Sequence, residues 1–309
     1  MKPETSQFYS RIVAQAVTAV RGLVNEALDI ESLSAAVGLS PLHFHRIFRG
    51  MGGETPLEMH RRLRLERAAI SLVGTKAQIT RIAFEAGYET HESFTRAFRE
   101  SFALSPTEFR HATAKSATSW SATTKAMLAA PTGIHINSAP ETQPVFIEKE
   151  EQTMKVIIEK HPEKRIFAVA HRGPYNAISE AFVQLDRIAQ TSGIPPKESA
   201  GLIAIYHDDP ETTAPSELRA DAGLVVSEKA KMPEGLHEIR LPEALYGKTV
   251  HKGSYETLGD TWSRLMGQWL PSSGYRLLES PSYECYLNTP MDTAPRDLQT
   301  ELYIPLQQI

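Results

Sequence analysis

The stretch Phe44-His45-Arg46-Ile47-Phe48-Arg49 returns fifty residues later as Phe94-Thr95-Arg96-Ala97-Phe98-Arg99, with four of the six positions identical. The same offset carries Pro56 onto Pro106. A repeat of this length indicates one supersecondary unit that is used twice. In both copies the phenylalanines are four residues apart and share one side of a helix, while the arginines project from the other side. The repeat therefore predicts two helices that bury aromatic residues and expose basic ones.

Each copy is predicted to be a helix-turn-helix unit. The first unit has a short helix at 31–37 that ends at Gly38, and the second has one at 79–86 that ends at Gly87. Glycine tolerates the positive φ that such a turn needs. Helix pairs of this kind also occur in proteins that bind no DNA, but two copies that both expose arginine favour DNA binding. Arginine, histidine and threonine can bond phosphates and the N7 and O6 edges of guanine.

These motifs resemble the AraC family of transcription regulators over residues 8–112. The most specific part is the second unit, with Ile82-Ala83, Gly87-Tyr88 and the closing segment Ser105-Pro106-Thr107-Glu108-Phe109-Arg110. The resemblance implies an all-α domain whose two recognition helices, joined by a long helix at 57–72, enter successive major grooves of double-stranded DNA. Its base-reading positions fall on Leu42, His45, Arg46, His91, Glu92, Thr95 and Arg96, and Arg49 and Arg99 lie on the same exposed sides.

Two features of this surface are open to more than one interpretation. Leu42 can touch a thymine methyl group, and Glu92 can accept from cytosine although it repels phosphate. The long helix carries Arg61, Arg62, Arg64 and Arg67 on its predicted outer side. Those four residues form either a solvated face or a set of phosphate contacts.

Charge is distributed unevenly along the chain. The chain has 309 residues, which is room for about two domains, and 41% of these residues are apolar, which suffices for two cores. Residues 1–113 hold 14 Lys and Arg against 12 Asp and Glu, whereas the remainder holds 19 against 25. The overall charge of −4 argues against a wholly basic nucleic-acid binder. A mildly basic module therefore precedes an acidic one.

Several classes of protein and site are excluded. Cys285 is the only cysteine, so neither a disulfide framework nor a cysteine-based zinc site is expected. No apolar run reaches the roughly 18–20 residues of a membrane span, and the first residues lack the apolar core of a signal peptide. Phosphate loops and nucleophile–base pairs are also missing from the sequence. We expect a cytoplasmic protein, not an enzyme, with no cofactor, no metal and no membrane partner.

Composition changes between the two predicted domains. Residues 113–152 are rich in Ala, Thr, Ser and Lys and then in proline, as in a linker, and Trp120 with Met127-Leu128 could form a short docked helix. The predicted boundaries are therefore 6–112 for the DNA-binding domain, 113–152 for the linker and 153–309 for a second domain.

A second internal repeat, with an offset of 80 residues, organises the C-terminal part. His171-Arg172-Gly173-Pro174-Tyr175 matches His251-Lys252-Gly253-Ser254-Tyr255, and Phe182 matches Trp262. Each copy contains a strand, a glycine turn, an amphipathic helix and further strands. The repeat predicts one pseudo-twofold α+β domain with a cleft near its symmetry axis. The predicted strands are 154–159, 165–170, 201–206, 221–226, 282–287 and 300–306.

This half resembles the GyrI-like effector-binding domain over residues 153–309. The features that match are the twin turns, Tyr206-His207-Asp208-Asp209-Pro210 and, most specifically, Tyr283-Glu284-Cys285-Tyr286-Leu287-Asn288. The resemblance implies a ligand pocket between the two repeated modules, suited to small cationic or aromatic molecules. A GyrI-like domain behind an AraC-type domain is a known pairing, so each half supports the other.

Glu284 is the candidate centre of that pocket. Strand periodicity places Glu284 and Tyr286 on one face, and by itself it leaves open whether the carboxylate faces solvent or a site. The resemblance places it in the pocket, where a carboxylate ringed by aromatic residues suits a desolvated cation. The candidate walls, each of which could instead be ordinary core, are Tyr206, Phe182, Tyr255, Trp262, Tyr286 and Tyr303. His171 and His251 could suggest a metal pair, but as turn residues they more simply bond the backbone.

The combined prediction is a transcription regulator whose N-terminal domain binds an operator and whose C-terminal domain binds a small-molecule effector, with RNA polymerase as a further partner. Two alternatives stay open for the C-terminal domain. It could be a hydrolase-like enzyme with Glu284 as general base, or a protein-interaction module without a small ligand.

Overall fold

The computed structural model describes residues 3–114, 134–135, 145–146, 154–194, 202–210 and 212–308. The chain divides into two compact units. The first contains residues 1–10, 41–46 and 152–309, and the second contains residues 11–40 and 47–151. Most of the predicted linker, including Trp120 and Met127-Leu128, lies outside the described residues. Within it, β1 (Ile134–His135) and β2 (Val145–Phe146) form an antiparallel pair.

Helices follow one another through the N-terminal part of the chain. They are α1 (Pro3–Gly22), α2 (Ile30–Ala36), α3 (Pro41–Gly52), α4 (Pro56–Gly74), α5 (Ile79–Glu85), α6 (His91–Phe102) and α7 (Pro106–Ala114). The predicted all-α organisation is confirmed. Gly38 and Gly87, the two turn glycines, have φ values of 72° and 74°, in the left-handed region that the helix-turn-helix prediction required.

The second helix-turn-helix unit is held together by an aromatic core. Thr90 caps α6 by accepting a hydrogen bond from the Ser93 N–H at 3.1 Å. Phe94 and Phe98 are fully buried with ring centroids 5.5 Å apart, and Phe102 lies 4.4 Å from Phe98. Three phenylalanines at helical spacing thus fix which side of α6 faces inward, so the basic side of the helix faces outward.

The expected outer row of arginines on α4 is only partly outward. The Arg62 side chain is largely covered, and it donates to both Glu54 oxygens, at 2.5 and 3.0 Å, and to Glu66 at 2.6 Å. Glu66 is buried, so its carboxylate depends on that guanidinium for a charge partner. Arg62 therefore has a structural role, and its prediction as an outward residue is wrong. Arg61 and Arg67 are exposed.

The C-terminal part forms a nine-stranded sheet with short covering helices. Its strands are β3 (Ile157–His161), β4 (Lys164–Arg172), β5 (Leu202–Tyr206), β6 (Arg219–Val226), β7 (His237–Leu241), β8 (Ala244–Lys252), β9 (Tyr275–Leu277), β10 (Tyr283–Tyr286) and β11 (Gln299–Gln308). The helices are α8 (Ser179–Thr191), α9 (Leu258–Arg264), a π-helical segment (Leu265–Trp269) and α10 (Leu270–Ser273). Short 3-10 segments at Tyr175–Ala177 and Tyr255–Thr257 precede α8 and α9.

Strand order confirms the pseudo-twofold α+β prediction. The order is β3-β8-β11-β10-β5-β6-β4-β7, with β9 paired to β11. If each strand is replaced by its repeat mate, 80 residues away, the same order is obtained in reverse. The pseudo-twofold axis therefore passes between the central strands β5 and β10. Each half also gives its first strand to the edge of the other half. Strand β7, which we did not predict from the sequence, completes this exchange because it is the repeat mate of β3.

The two faces of the sheet have separate cores. One face packs against α8 through residues that include Phe167, Ala204 and Leu185. The other face buries residues that include Ile203, Tyr283 and Tyr303. No helix of the described residues is both long and apolar enough to cross a membrane.

Candidate effector site and DNA-contact surface

Glu284 lies buried in the centre of the sheet, with 2% of its surface exposed. It stands on β10 directly opposite Ala204 of β5 and shares the helix-covered face with Tyr286. The Trp262 Nε1–H donates to its Oε1 at 2.7 Å, and the Tyr286 hydroxyl donates to its Oε2 at 2.7 Å. The predicted face of Glu284 is confirmed, and its two oxygens are fixed by one donor each.

Aromatic rings surround this carboxylate in a chain of edge-to-face contacts. The Tyr206 and Tyr286 hydroxyls, 80 residues apart in sequence, are 2.8 Å apart. Tyr255 and Phe182 lie against the Tyr286 ring with centroid distances of 5.4 and 5.7 Å, and Tyr175 lies against Tyr206 at 4.7 Å. The structure therefore places five of the predicted wall residues around Glu284: Tyr206, Phe182, Tyr255, Trp262 and Tyr286.

One predicted wall residue lies elsewhere. Tyr303 points to the opposite face of the sheet, where it stacks on Tyr283 with ring centroids 4.5 Å apart and donates to Glu301 at 2.6 Å. Strand register explains the difference, because Leu302 is the residue of β11 that pairs with Glu284, and its neighbour must point away. We therefore withdraw Tyr303 from the candidate pocket.

Two residues near Glu284, Tyr175 and His251, were not predicted from the sequence as part of the site. Tyr175 is the repeat mate of Tyr255, so the twin turns that revealed one ring could have revealed the other. His251 acts electrostatically on Glu284, and its Nδ1 lies 2.8 Å from the Thr261 hydroxyl. The Nε2 atoms of His171 and His251 each lie 3.1 Å from a carbonyl oxygen, of Pro174 and Ser254 respectively. This confirms that both histidines bond the turn backbone.

Burial dominates the electrostatics of the site. It raises the pKa of Glu284 above its ordinary value, and the hydrogen bonds from Trp262 and Tyr286 and the charge of Arg46 oppose that rise. Burial likewise raises the pKa of Tyr206 and Tyr286 well above the usual range, so both remain neutral hydrogen-bond donors at physiological pH. A carboxylate in this setting gains most from a positive charge held nearby.

The chain itself supplies a positive charge near Glu284, on the side chain of Arg46. The guanidinium carbon of Arg46 lies 3.7 Å from the centroid of the Trp262 ring, a cation–π contact. Arg46 belongs to the same compact unit as the sheet, together with the rest of 41–46. Burial lowers the pKa of Arg46 to about 10, and among its neighbours the charge of Glu284 opposes that shift most strongly. The guanidinium is thus charged at neutral pH.

Neighbouring residues of α3 are also buried in this unit. The His43 Nε2 lies 2.9 Å from the Ser282 hydroxyl, and burial followed by the charge of Arg46 lowers the pKa of His43 to about 4. The His45 Nδ1 lies 3.8 Å from an oxygen of Asp209. Leu42 and His45 are each 7% exposed. The expectation that Leu42, His45 and Arg46 face solvent is therefore wrong in this conformation, because Leu42 and His45 are buried and the Arg46 guanidinium stacks on Trp262.

The second recognition helix presents the predicted surface. His91, Glu92, Arg96 and Arg99 of α6 are exposed and line an open concavity together with Thr95 and Glu100. Thr95 is half-buried, however, and its hydroxyl is covered. On α3, the first recognition helix, Arg49 is exposed. Among the described residues, no group of three or more His, Cys, Asp or Glu could hold a metal ion.

Comparison with known proteins supports the family assignment of both the N-terminal and the C-terminal part. The family model of the GyrI-like small molecule binding domain matches residues 154–307, and that of a helix-turn-helix domain matches residues 33–112. A DNA gyrase inhibitor from Yersinia enterocolitica is 36% identical over 137 residues, which cover 43% of this chain and 85% of that protein. The probable transcriptional regulator YgiV from Escherichia coli K12 is 26% identical over 157 residues, which cover 50% of this chain and 97% of that protein.

Among solved structures, the EcmrR–DNA complex determined by cryo-electron microscopy aligns over 95% of this chain and 99% of that one, at 12% identity and a TM-score of 0.45. The assignment depends on the sequence matches and on the two internal repeats, and these agree. The protein therefore belongs to the AraC-type helix-turn-helix transcription regulators that carry a C-terminal GyrI-like small-molecule-binding domain.

Proposed function

We propose that the effector of this DNA-binding regulator is an organic cation with a flat aromatic or apolar body, held by Glu284 and Trp262. The observation that carries the proposal is the stacking of a guanidinium on Trp262 beside the buried Glu284 carboxylate. A site that holds one planar cation in this way offers the same charge pairing and ring contact to another.

The chemistry of Glu284 favours a charge partner over a catalytic role. A general base needs an oxygen that can take a proton from water. Each Glu284 oxygen already accepts one hydrogen bond, from Trp262 or Tyr286, and the residue is only 2% exposed, so bulk water barely reaches the carboxylate. The hydrolase-like alternative therefore finds less support in the geometry than cation binding does. Binding of no small molecule at all would favour the third possibility, a protein-interaction module.

For DNA, α6 supplies the contacts that the structure supports best. Its exposed side carries His91, Glu92, Arg96 and Arg99, and arginine is the residue best suited to bidentate bonding of guanine. Leu42, His45, Arg46 and Arg49 of α3, together with Thr95, complete the proposed DNA-contact set. We keep 6–112, 113–152 and 153–309 as the proposed domain boundaries, a cytoplasmic location and RNA polymerase as a proposed further partner.

Calorimetric titration of the full chain tests the effector proposal. Phenylguanidinium carries the planar cation, and phenylurea is its neutral isostere. We expect phenylguanidinium to bind and phenylurea to bind at least tenfold more weakly, because only the cation pairs with Glu284. Equal affinity for the two compounds would contradict the proposal, and turnover of either compound, detected by mass spectrometry, would favour the enzyme alternative.

A further inference from the structure

The position of Arg46 that the repeat predicts is incompatible with the position that the structure shows. The helix-turn-helix repeat places it at a base-reading position, equivalent to Arg96 at an offset of fifty residues. The structure places its guanidinium on Trp262, within the candidate effector site. One side chain cannot reach a guanine in a major groove while it is stacked in this pocket. Its two positions therefore define two conformations.

The pseudo-twofold symmetry shows that this placement is selective. The site breaks the repeat at two points, because Glu284 and Trp262 in the second copy replace Ala204 and Phe182 in the first. Tyrosines at the equivalent turns and strand ends are retained in both copies. At the two positions that differ, the second copy has a carboxylate and an indole ring, and the Arg46 guanidinium stacks on that indole ring. The guanidinium is thus found where the sheet is chemically complementary to a cation.

Further contacts hold the N-terminal segments of this unit on the sheet. The His43 imidazole meets the Ser282 hydroxyl at 2.9 Å, one residue before β10 begins. The Tyr9 hydroxyl accepts a hydrogen bond from the Leu277 N–H at 3.1 Å, and the Arg276 guanidinium lies 4.1 Å from the Phe8 ring. Arg46 is consequently part of a docked arrangement that includes residues 8–9 and 41–46.

We propose that Arg46 is an internal ligand of the effector site, which an effector cation displaces so that residues 41–46 become available to DNA. The inference rests on the proposed function, since it requires the site to bind cations. It adds the direction of regulation: the effector strengthens DNA binding. It also assigns to Arg46 a competitive role that neither domain family implies.

Thermodynamic linkage determines that the effector strengthens DNA binding and does not weaken it. Both the effector and the operator bind the conformation in which Arg46 has left Trp262, so each raises the affinity for the other by the same factor. An effector can bind only the molecules from whose site Arg46 has withdrawn. The apparent association constant is therefore the intrinsic one multiplied by the fraction of molecules in that undocked state. Removing the guanidinium removes that competition. Coupling of this kind commonly amounts to about 5- to 150-fold.

The chain supplies a matched pair of variants for the test. Arg46→Gln removes the proposed internal ligand, and Arg96→Gln removes the equivalent arginine of the second repeat. Phenylguanidinium is titrated into each full-length variant without DNA. We expect Arg46→Gln to bind it about 5- to 150-fold more tightly than the wild type, and Arg96→Gln to bind it as the wild type does. Unchanged affinity in Arg46→Gln would overturn the inference.

Coupling to DNA provides a second, independent readout. A duplex selected from a random pool by the wild-type protein is titrated with and without saturating phenylguanidinium. The compound should tighten DNA binding by the wild type and by Arg96→Gln by a similar factor, although Arg96→Gln binds more weakly overall. In Arg46→Gln the factor should fall to about one. An undiminished factor in Arg46→Gln would contradict the proposal.

The outcomes separate this inference from the function on which it rests. Binding of phenylguanidinium that depends on Glu284 but is indifferent to Arg46 would leave the effector site standing and refute the internal ligand. No binding to any variant would refute both. If Arg46→Gln does not fold, as judged by its circular dichroism and melting, Arg46→Met takes its place, because methionine fills the space of the aliphatic stem without a charge.

Discussion

Replacing Glu284 by glutamine removes the charge on which the effector proposal depends while retaining its shape. The Trp262 Nε1–H, 2.7 Å from Oε1, can donate equally well to the amide oxygen of glutamine. The Tyr286 hydroxyl then meets the amide NH₂ and can accept from it. The packing around the side chain is preserved, so a change in cation affinity reports on charge.

The size of the effect can be worked from the burial of the site. Removing one member of a buried charge pair typically costs about 2–5 kcal/mol, but glutamine also avoids the desolvation cost that raises the pKa of Glu284. We therefore expect a loss of about 2–3 kcal/mol in cation affinity, which is roughly 30- to 150-fold. In the wild-type background the measured loss should be smaller, because the competing Arg46 loses the same partner.

Calorimetry with phenylguanidinium therefore compares Glu284→Gln in two backgrounds, the wild type and Arg46→Met, and the full loss is expected in the second. Glu301→Gln is the matched control. Glu301 is also a strand carboxylate that accepts from a tyrosine hydroxyl, but it pairs with Cys285 on β10 and lies on the other face. Equal affinity of Glu284→Gln and its parent in the Arg46→Met background would refute the reasoning, as would an equal loss in Glu301→Gln.

Four further outcomes are expected. Because burial raises the pKa of Glu284, phenylguanidinium affinity should fall on acidification, and it should begin to fall at a higher pH than an ordinary glutamate would require, while the ligand stays charged. Arg96→Ala should weaken specific operator binding by about 1–3 kcal/mol. Phe98→Ala should lower the free energy of unfolding by about 3–5 kcal/mol, because its ring is fully buried. Arg62→Met should cost about 3–5 kcal/mol, because it strands the buried carboxylate of Glu66.

Each of these outcomes has a direct check. Calorimetry at several pH values contradicts the first if the affinity does not change. Operator and scrambled duplexes, compared by fluorescence anisotropy, contradict the second if Arg96→Ala retains wild-type discrimination. Urea unfolding tests the last two, with the exposed Arg61→Met on the same helix as the control for Arg62. A shift in Arg61→Met as large as that in Arg62→Met would rule out the buried-network explanation.

Internal repeats made much of the fold predictable. The offset of fifty residues predicted the inward phenylalanines of α6, and the turn before each recognition helix predicted Gly38 and Gly87, because helical spacing and positive φ are local requirements. The offset of 80 residues predicted a pseudo-twofold sheet, since each copy contains the same series of elements. Strand β7 escaped prediction even though it is the repeat mate of β3, because it has only five residues and only Ile239 and Leu241 among them are apolar.

Long-range geometry set the limit of prediction at the site. Alternation along β10 correctly placed Glu284 on the same face as Tyr286, but the face of Tyr303 depends on its pairing with another strand. Arg62 was assigned outward by helix periodicity, although two buried carboxylates bind it. Above all, the exposed side of α3 could not be predicted from α3 alone. The residue that contacts Arg46 is Trp262, more than two hundred positions later in the chain.

The most direct test of the account is a crystal structure of the full-length protein grown with phenylguanidinium. We expect density for the ligand guanidinium against the Trp262 ring and next to the Glu284 carboxylate, with the Arg46 side chain withdrawn from the site. A ligand bound elsewhere, or a ligand accommodated beside an Arg46 that still stacks on Trp262, would contradict it.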